Sequence, residues 1–305
     1  MSKVLKEKSK RKKELVVVTD SASDVPKEYA KKLNISIVPL YILYNGNEYR
    51  DGIDINSEQI YSLQKEKKAI FTSSSPSPHD FFKVYKRLLE KYNTIISIHL
   101  SSKLSAVIKS ANIAKDLLKA GKRILIFDSM SATVGTGFMS IVAAKAIAEK
   151  YSFEKIKSIL KFIRKNIRLY GTIDTLKYLR RSGRVPAIAS MITSALKIKP
   201  ILSINDGIVG MWGIAITRWG SLIEITKRVI KDFRNEKWVV VAIIHSLALD
   251  ESKKIMEKIQ ASLNCVDSII TECTPVVGAH TGPGLVGIII SKVNRDIAEL
   301  FILNN

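Results

Sequence analysis

Short β-branched runs alternate with amphipathic stretches along the first half of this 305-residue chain. LVVVTD (15–20) is an apolar strand that ends in turn-forming polar residues, and Pro26 opens a helix running to about Leu33. ISIVPLYILY (35–44) is β-branched and aromatic, which predicts one strand, and NGNEYRDG turns it. NSEQIYSLQK carries an N-cap residue ahead of a short helix. The spacing then predicts helices over 78–92, 102–119 and 134–150, with strands over 94–100 and 123–129 between them. Strand followed by helix at this interval implies a mainly parallel sheet with helices on both faces. A helix over 153–166 reads as a connector.

The texture changes after residue 168. LYGTID predicts a short strand, followed by helices near 174–181 and 186–196. KPILSINDGIVGMWGIAIT has the form strand, Asn-Asp-Gly turn, strand, which is a hairpin signature. A helix (220–234), a strand (237–245), a helix (250–263) and strands near 266–272 and 286–291 complete the chain. The predicted organisation is a two-domain α/β protein. A basic tail (1–14) precedes an N-terminal α/β domain (15–165), and a smaller mixed α+β domain (166–305) follows.

Composition narrows the function classes. Hydrophobic residues make up 46% and charged residues 25%, as in soluble globular proteins. The two cysteines, Cys265 and Cys273, form no CxxC pair, so neither a disulfide framework nor a zinc site is expected and a reducing cytoplasm is the natural setting. No apolar run reaches the roughly 18–20 residues that span a bilayer, and no apolar stretch of signal-peptide length follows the basic N-terminus. The net charge of +21 suggests nucleic acid, but the excess is scattered. The first thirteen residues carry +6, and most other lysines fall on the polar faces of helical patterns. No RNP-type strand, zinc finger or recognition-helix motif accompanies the charge, so no specific nucleic-acid partner is expected.

Four stretches hold the candidate chemistry. TDSASD (19–24) ends the first strand, where open α/β sheets place their crevices, yet Ala22 stands where a haloacid-type phosphatase needs its second aspartate after Asp20. Ser23 or Asp24 reads as a helix cap. FTSSSPSPHD (71–80) is a hydroxyl-rich loop with a helix starting at Pro78. In HLSSKLSA (99–106), Ser101 and Ser102 read as caps and Ser105 lies one turn into the helix. GAHTGPGLVG (278–287) places one of only four histidines, His280, in a loop of small residues. No phosphate-cradling GxxxxGK[ST] or GxSxG elbow is present, none of the four stretches holds an SxxK pair, and metal-ligand spacings are missing. Thr72, Ser73, Ser101, Ser102 and Ser105 all fall at strand-to-helix transitions. Hydroxyls and free helical N–H groups there suit a carboxylate or phosphate. Two readings stay open: an anion-binding carrier, or a phosphatase or hydrolase using Asp20 or Ser105.

The ordered segments VTDSASDVPKEYAKKLNISIVPL, YRDGIDI, FTSSSPSP, IISIHLSSKLSA, IFDSMSATVGTG, LKYLRRSGRV, LKIKPIL and AHTGPG resemble the DegV family of bacterial fatty-acid-binding proteins. The likeness runs from about residue 15 to the last strand. It implies a two-domain α/β fold holding one long-chain fatty acid between the domains, with no other cofactor. Some members are the non-catalytic binding subunits of a fatty-acid kinase that feeds phospholipid synthesis, and such a carrier meets membrane surfaces only transiently. By this resemblance Thr72, Ser105 and His280 hold the carboxylate, and Ser73 and Thr281 stand behind them. Arg184 lies near the headgroup and the kinase. Apolar residues of 187–198, among them Ile188, Met191, Ile192 and Leu196, together with 201–204 and 286–290, are expected around the tail. The chain departs from the family at Ala106-Val107, where Gly-Thr is usual.

Overall fold

The computed structural model describes residues 13–181, 183, 185 and 198–302. Strand β1 (Lys13–Asp20) buries Val16, Val17 and Val18 in succession, as a strand covered on both faces must. With β2 (Ser36–Val38), β6 (Tyr92–His99) and β7 (Ile124–Asp128) it forms a four-stranded sheet ordered β2-β1-β6-β7, parallel throughout. Helices α3 (Pro78–Lys91) and α4 (Val107–Leu117) cover one face. Helix α3 starts with a capping box between Ser77 and Asp80 and has Pro78 in its first turn. Helix α2 (Ser57–Glu66) is capped in the same way by Asn56 and Gln59.

Helix α5 (Val134–Ala148) is apolar on all sides, and twelve of its fifteen residues are buried. It lies between the first sheet and a second one and packs on α6 (Phe153–Asn166). The second sheet is mixed and six-stranded, ordered β10-β9-β8-β13-β11-β12. Its strands are β8 (Ile167–Thr172), β9 (Lys199–Asn205), β10 (Ile208–Ala215), β11 (Val239–His245), β12 (Cys265–Glu272) and β13 (Val286–Lys292). Only β11 and β12 pair in parallel. Helices α8 (Arg218–Phe233) and α9 (Leu249–Gln260) pack on the side of this sheet away from α5. The expected hairpin is present: Asn205 pairs Ile208 across an Asp206-Gly207 turn with positive φ at both positions.

The structure corrects several expectations. The stretch 35–44 is two strands, because Pro39 cannot donate to a ladder. Strand β2 ends at Val38 in the parallel sheet, and β3 (Tyr41–Tyr44) joins a separate antiparallel sheet. That small sheet has the order β4-β3-β5, with β4 (Asn47–Arg50) and β5 (Thr72–Ser74), so part of the hydroxyl loop is a strand. Helix α1 (Lys27–Lys32) has Pro26 as its N-cap and no side-chain cap. Ser23 instead donates to the Asp20 carbonyl, and Asp24 is buried with φ +50°. Helix α4 begins at Val107, five residues later than the pattern suggests. His280 lies not in a loop but in the last turn of helix α10 (Pro275–Thr281). After α7 (Lys177–Arg181), the predicted helix 186–196 falls outside the described residues. A further helix, α11 (Arg295–Ile302), follows β13.

Candidate ligand-binding site

A cavity of about 120 Å³ lies where the small sheet, the start of α4, α10 and the β9–β10 hairpin meet. Its polar lining comes from Ser73, Ser74, Ser75, Ser105, Thr133, His280 and Thr281. The remainder is aliphatic, with Leu40, Leu100, Leu104, Leu179, Val209 and Val277 prominent.

Pairing along β5 decides which hydroxyl enters. Ser73 sits opposite Ile42, which is fully buried, so both side chains point inward. Thr72 sits opposite Leu43, is exposed, and lies outside the cavity lining. Ser73 therefore meets the imidazole: its Oγ lies 2.7 Å from His280 Nε2. A second hydroxyl pair stands nearby, Ser75 Oγ to Ser105 Oγ at 2.8 Å. Ser105 stands before Ala106, the N-cap of α4, and its Oγ accepts from the Val107 amide, so it lies ahead of the helix and not one turn in. Thr281 lines the cavity while its hydroxyl donates to the Val277 carbonyl one turn back.

Ser101 and Ser102 do not join this group. The Ser102 hydroxyl donates to Asp128, and Ser101 is buried with its Oγ accepting from the Lys103 amide. Arg184, Ile188, Met191, Ile192 and Leu196 lie outside the described residues. Ile201, Leu202 and 286–290 are buried in the second sheet and are not among the cavity's lining. Ser75 is a wall residue that the hydroxyl run contains but does not single out. Two signals mark it in the sequence: Pro76 holds its predecessor extended, and a spacing of two from Ser73 puts both on one side of an extended chain.

The small residues beside His280 have a steric reason. A Cβ on Gly282, where φ is +73°, would come within 2.3 Å of the Tyr178 ring. One on Gly278 would press on the Tyr61 hydroxyl at 2.7 Å. The turn after the helix is fastened by Ser246, which donates to the Gly282 carbonyl and accepts from the Leu285 amide.

Next to the cavity wall at Leu100, a polar relay runs through the core. Tyr85 Oη contacts Ser97 Oγ at 2.7 Å, Ser97 Oγ contacts His99 Nε2 at 2.7 Å, and His99 Nδ1 contacts Asp20 Oδ2 at 2.9 Å. The Leu100 amide donates to the same carboxylate oxygen. A carboxylate only accepts, so His99 donates from Nδ1 to Asp20. All four side chains are fully buried, which leaves a substrate no access to Asp20.

Among the described residues, no group of three His, Cys, Asp or Glu side chains could hold a metal ion. No helix among them is long and apolar enough to cross a membrane.

A hydroxyl-and-imidazole cluster on one wall of an otherwise aliphatic cavity, beside the small antiparallel sheet, defines the class as a three-sheet α/β protein with an amphipathic cavity. The chain belongs to the DegV family: the model of that family, described as uncharacterised protein, matches residues 14–293. A DegV domain-containing protein of Clostridium acetobutylicum is 33% identical over 286 residues, covering 91% of this chain and 99% of the relative. A fatty-acid-binding DegV family protein from Thermus thermophilus superposes with a TM-score of 0.86 at 29% identity, covering 92% of this chain and all of the other. DegV of Bacillus subtilis, described as a fatty acid binding protein, superposes at 0.80 and 29% identity, covering 92% and 99%.

Proposed function

We propose that this chain binds one long-chain fatty acid, with the carboxylate on the Ser73, Ser75, Ser105 and His280 wall, the first methylenes along the aliphatic residues of the cavity, and the rest of the acyl chain running on past the volume of about 120 Å³. The observation that carries the reading is the segregated lining: two hydrogen-bonded donor pairs on one side, leucine and valine elsewhere. A carboxylate is an acceptor-only group, and hydroxyl and imidazole donors that now bond one another can turn to it. Bonds to a charged acceptor are stronger than the neutral pairs they replace. The tail supplies most of the affinity at about 0.8 kcal/mol per buried methylene, and the polar wall supplies orientation. The fatty-acid-binding relatives from Thermus and Bacillus support the same reading. We further infer that the chain acts as a carrier that presents the carboxyl group to a separate kinase subunit, which would bring nucleotide and magnesium.

The hydrolase reading meets two obstacles. Asp20 is fully buried, and the hydroxyl partner of Ser105 is another serine rather than a base. Native mass spectrometry of protein purified from cells, followed by titration of the delipidated chain with oleate, tests the proposal. A co-purifying C14–C18 acid and one-to-one oleate binding are expected. Absence of both, with turnover of model esters or phosphates by the chain alone, overturns it.

A further inference from the structure

Helix α10 has only seven residues, too few to hold its shape unaided, yet it carries His280 and Thr281. Its N-terminal end is gripped by two carboxylates from distant parts of the chain. The Thr274 amide donates to Asp24 Oδ1 at 2.6 Å, and the Val276 amide donates to Asp51 Oδ1 at 2.9 Å. Pro275 between them has no N–H to satisfy. Asp24 closes the turn after β1 in a left-handed conformation, and Asp51 follows β4, where its own amide donates to the Leu40 carbonyl. Both side chains are buried. A side-chain oxygen that accepts from the first amides of a helix satisfies donors that have no partner within the helix. The side of α10 is tied to α2, where Gln64 donates to the Gly278 and Ala279 carbonyls.

We propose that Asp24 and Asp51 are positioning residues for the fatty-acid headgroup site: by holding the start of α10 they set His280 against Ser73 across the cavity. The proposal rests on the fatty-acid reading for its affinity arm alone. The groups facing the two carboxyls are Asp20, the Ser21 and Thr274 hydroxyls, and the Cys273 thiol with Glu272 and Tyr61 beyond it. Burial pushes the Asp51 carboxyl up to about 6, against the Ser21 hydroxyl and Val276 amide that pull it down. Burial raises Asp24 well above the ordinary carboxylate range, against the Thr274 amide. A folded-state value above the unfolded one means that the folded protein holds the proton more tightly. The Asp51 contribution to stability is therefore full below the unfolded value and is lost as pH rises through about 6.

The test uses the full chain. Asp24→Ala and Asp51→Ala remove the acceptors and are expected to weaken oleate binding about tenfold or more. Asp24→Asn and Asp51→Asn keep an acceptor oxygen and should restore most of the affinity, a rescue that a merely structural loss would not show. In the unmodified chain, the Val276 amide proton resonance should titrate with a midpoint near 6 and stop titrating in Asp51→Asn. Alanine variants that bind oleate like the parent, or a Val276 amide that ignores Asp51→Asn, overturn the proposal. If the alanine variants do not fold, the asparagine variant and the amide titration decide it. If the parent binds no oleate, the fatty-acid reading falls while the amide titration still judges the clamp.

Discussion

Two serine–histidine contacts of equal length sit in this protein, Ser73 with His280 and Ser97 with His99, each at 2.7 Å. The first pair lines a cavity, half-buried, on elements contributed by opposite ends of the chain. The second is sealed within the first sheet, its outer valences closed by Tyr85 and Asp20. The chemistry of the pair is the same, and access separates the roles. A histidine whose partners are all internal directs its hydrogen bonds into folding. One whose hydroxyl partner faces an open volume can exchange that partner for a ligand.

The largest effect that sharpens this contrast belongs to the sealed relay. Asp20→Ala leaves the His99 Nδ1–H and the Leu100 amide without their acceptor in a dry core, and should cost about 3–5 kcal/mol of stability. Chemical denaturation should show that loss, while oleate affinity measured on the folded fraction stays within about twofold of the parent. A variant that keeps its stability and loses its ligand would put Asp20 in the site and break the distinction. His280→Ala should behave in the opposite way, weakening oleate binding by about 10- to 100-fold through the loss of a bond to a charged acceptor. Its cost in the denaturation midpoint should be much the smaller of the two.

How much of the fold is legible in the amino-acid sequence follows the range of the forces involved. The Asp206-Gly207 turn, the Asn56 cap and the helix α5 are dictated by neighbours a few residues away, and all three are present. The candidate residues Ser73, Ser105, His280 and Thr281 do line one cavity. Features that local sequence does not reveal depend on partners far along the chain. The phase of β5, which turns Ser73 inward and Thr72 outward, is set by pairing with Ile42 and Leu43. The helical state of 275–281 rests on Asp24, Asp51 and Gln64, all more than 200 residues upstream. Asp24 reads locally as a cap for the next helix, and only the fold shows that it serves α10 instead.

A smaller effect tests whether the second donor pair belongs to the site. Ser75→Ala removes the partner of the Ser105 hydroxyl from the cavity wall. Loss of one neutral donor among several should lower oleate affinity by about 2- to 10-fold, with Ser105→Ala giving a loss of similar size. If Ser75→Ala is silent while Ser105→Ala is not, only Ser105 reaches the headgroup, and the polar wall is narrower than its lining suggests.

The smallest effect is the most pointed, because Thr72 and Ser73 are neighbours with the same functional group. On a strand, adjacent side chains leave by opposite faces, so the Thr72 and Ser73 hydroxyls do not point to the same ligand. Thr72 is exposed on the side of Leu43, where its hydroxyl is solvated with or without a ligand. Thr72→Ala should therefore change stability by less than about 0.5 kcal/mol and leave the oleate titration superimposable on the parent's. Ser73→Ala, one residue away, should weaken binding and free the His280 ring from its 2.7 Å partner. The reverse outcome would mean that β5 pairs with β3 one residue out of the observed register. Such a slip would turn Ser73 to solvent and rebuild the cavity wall around Thr72.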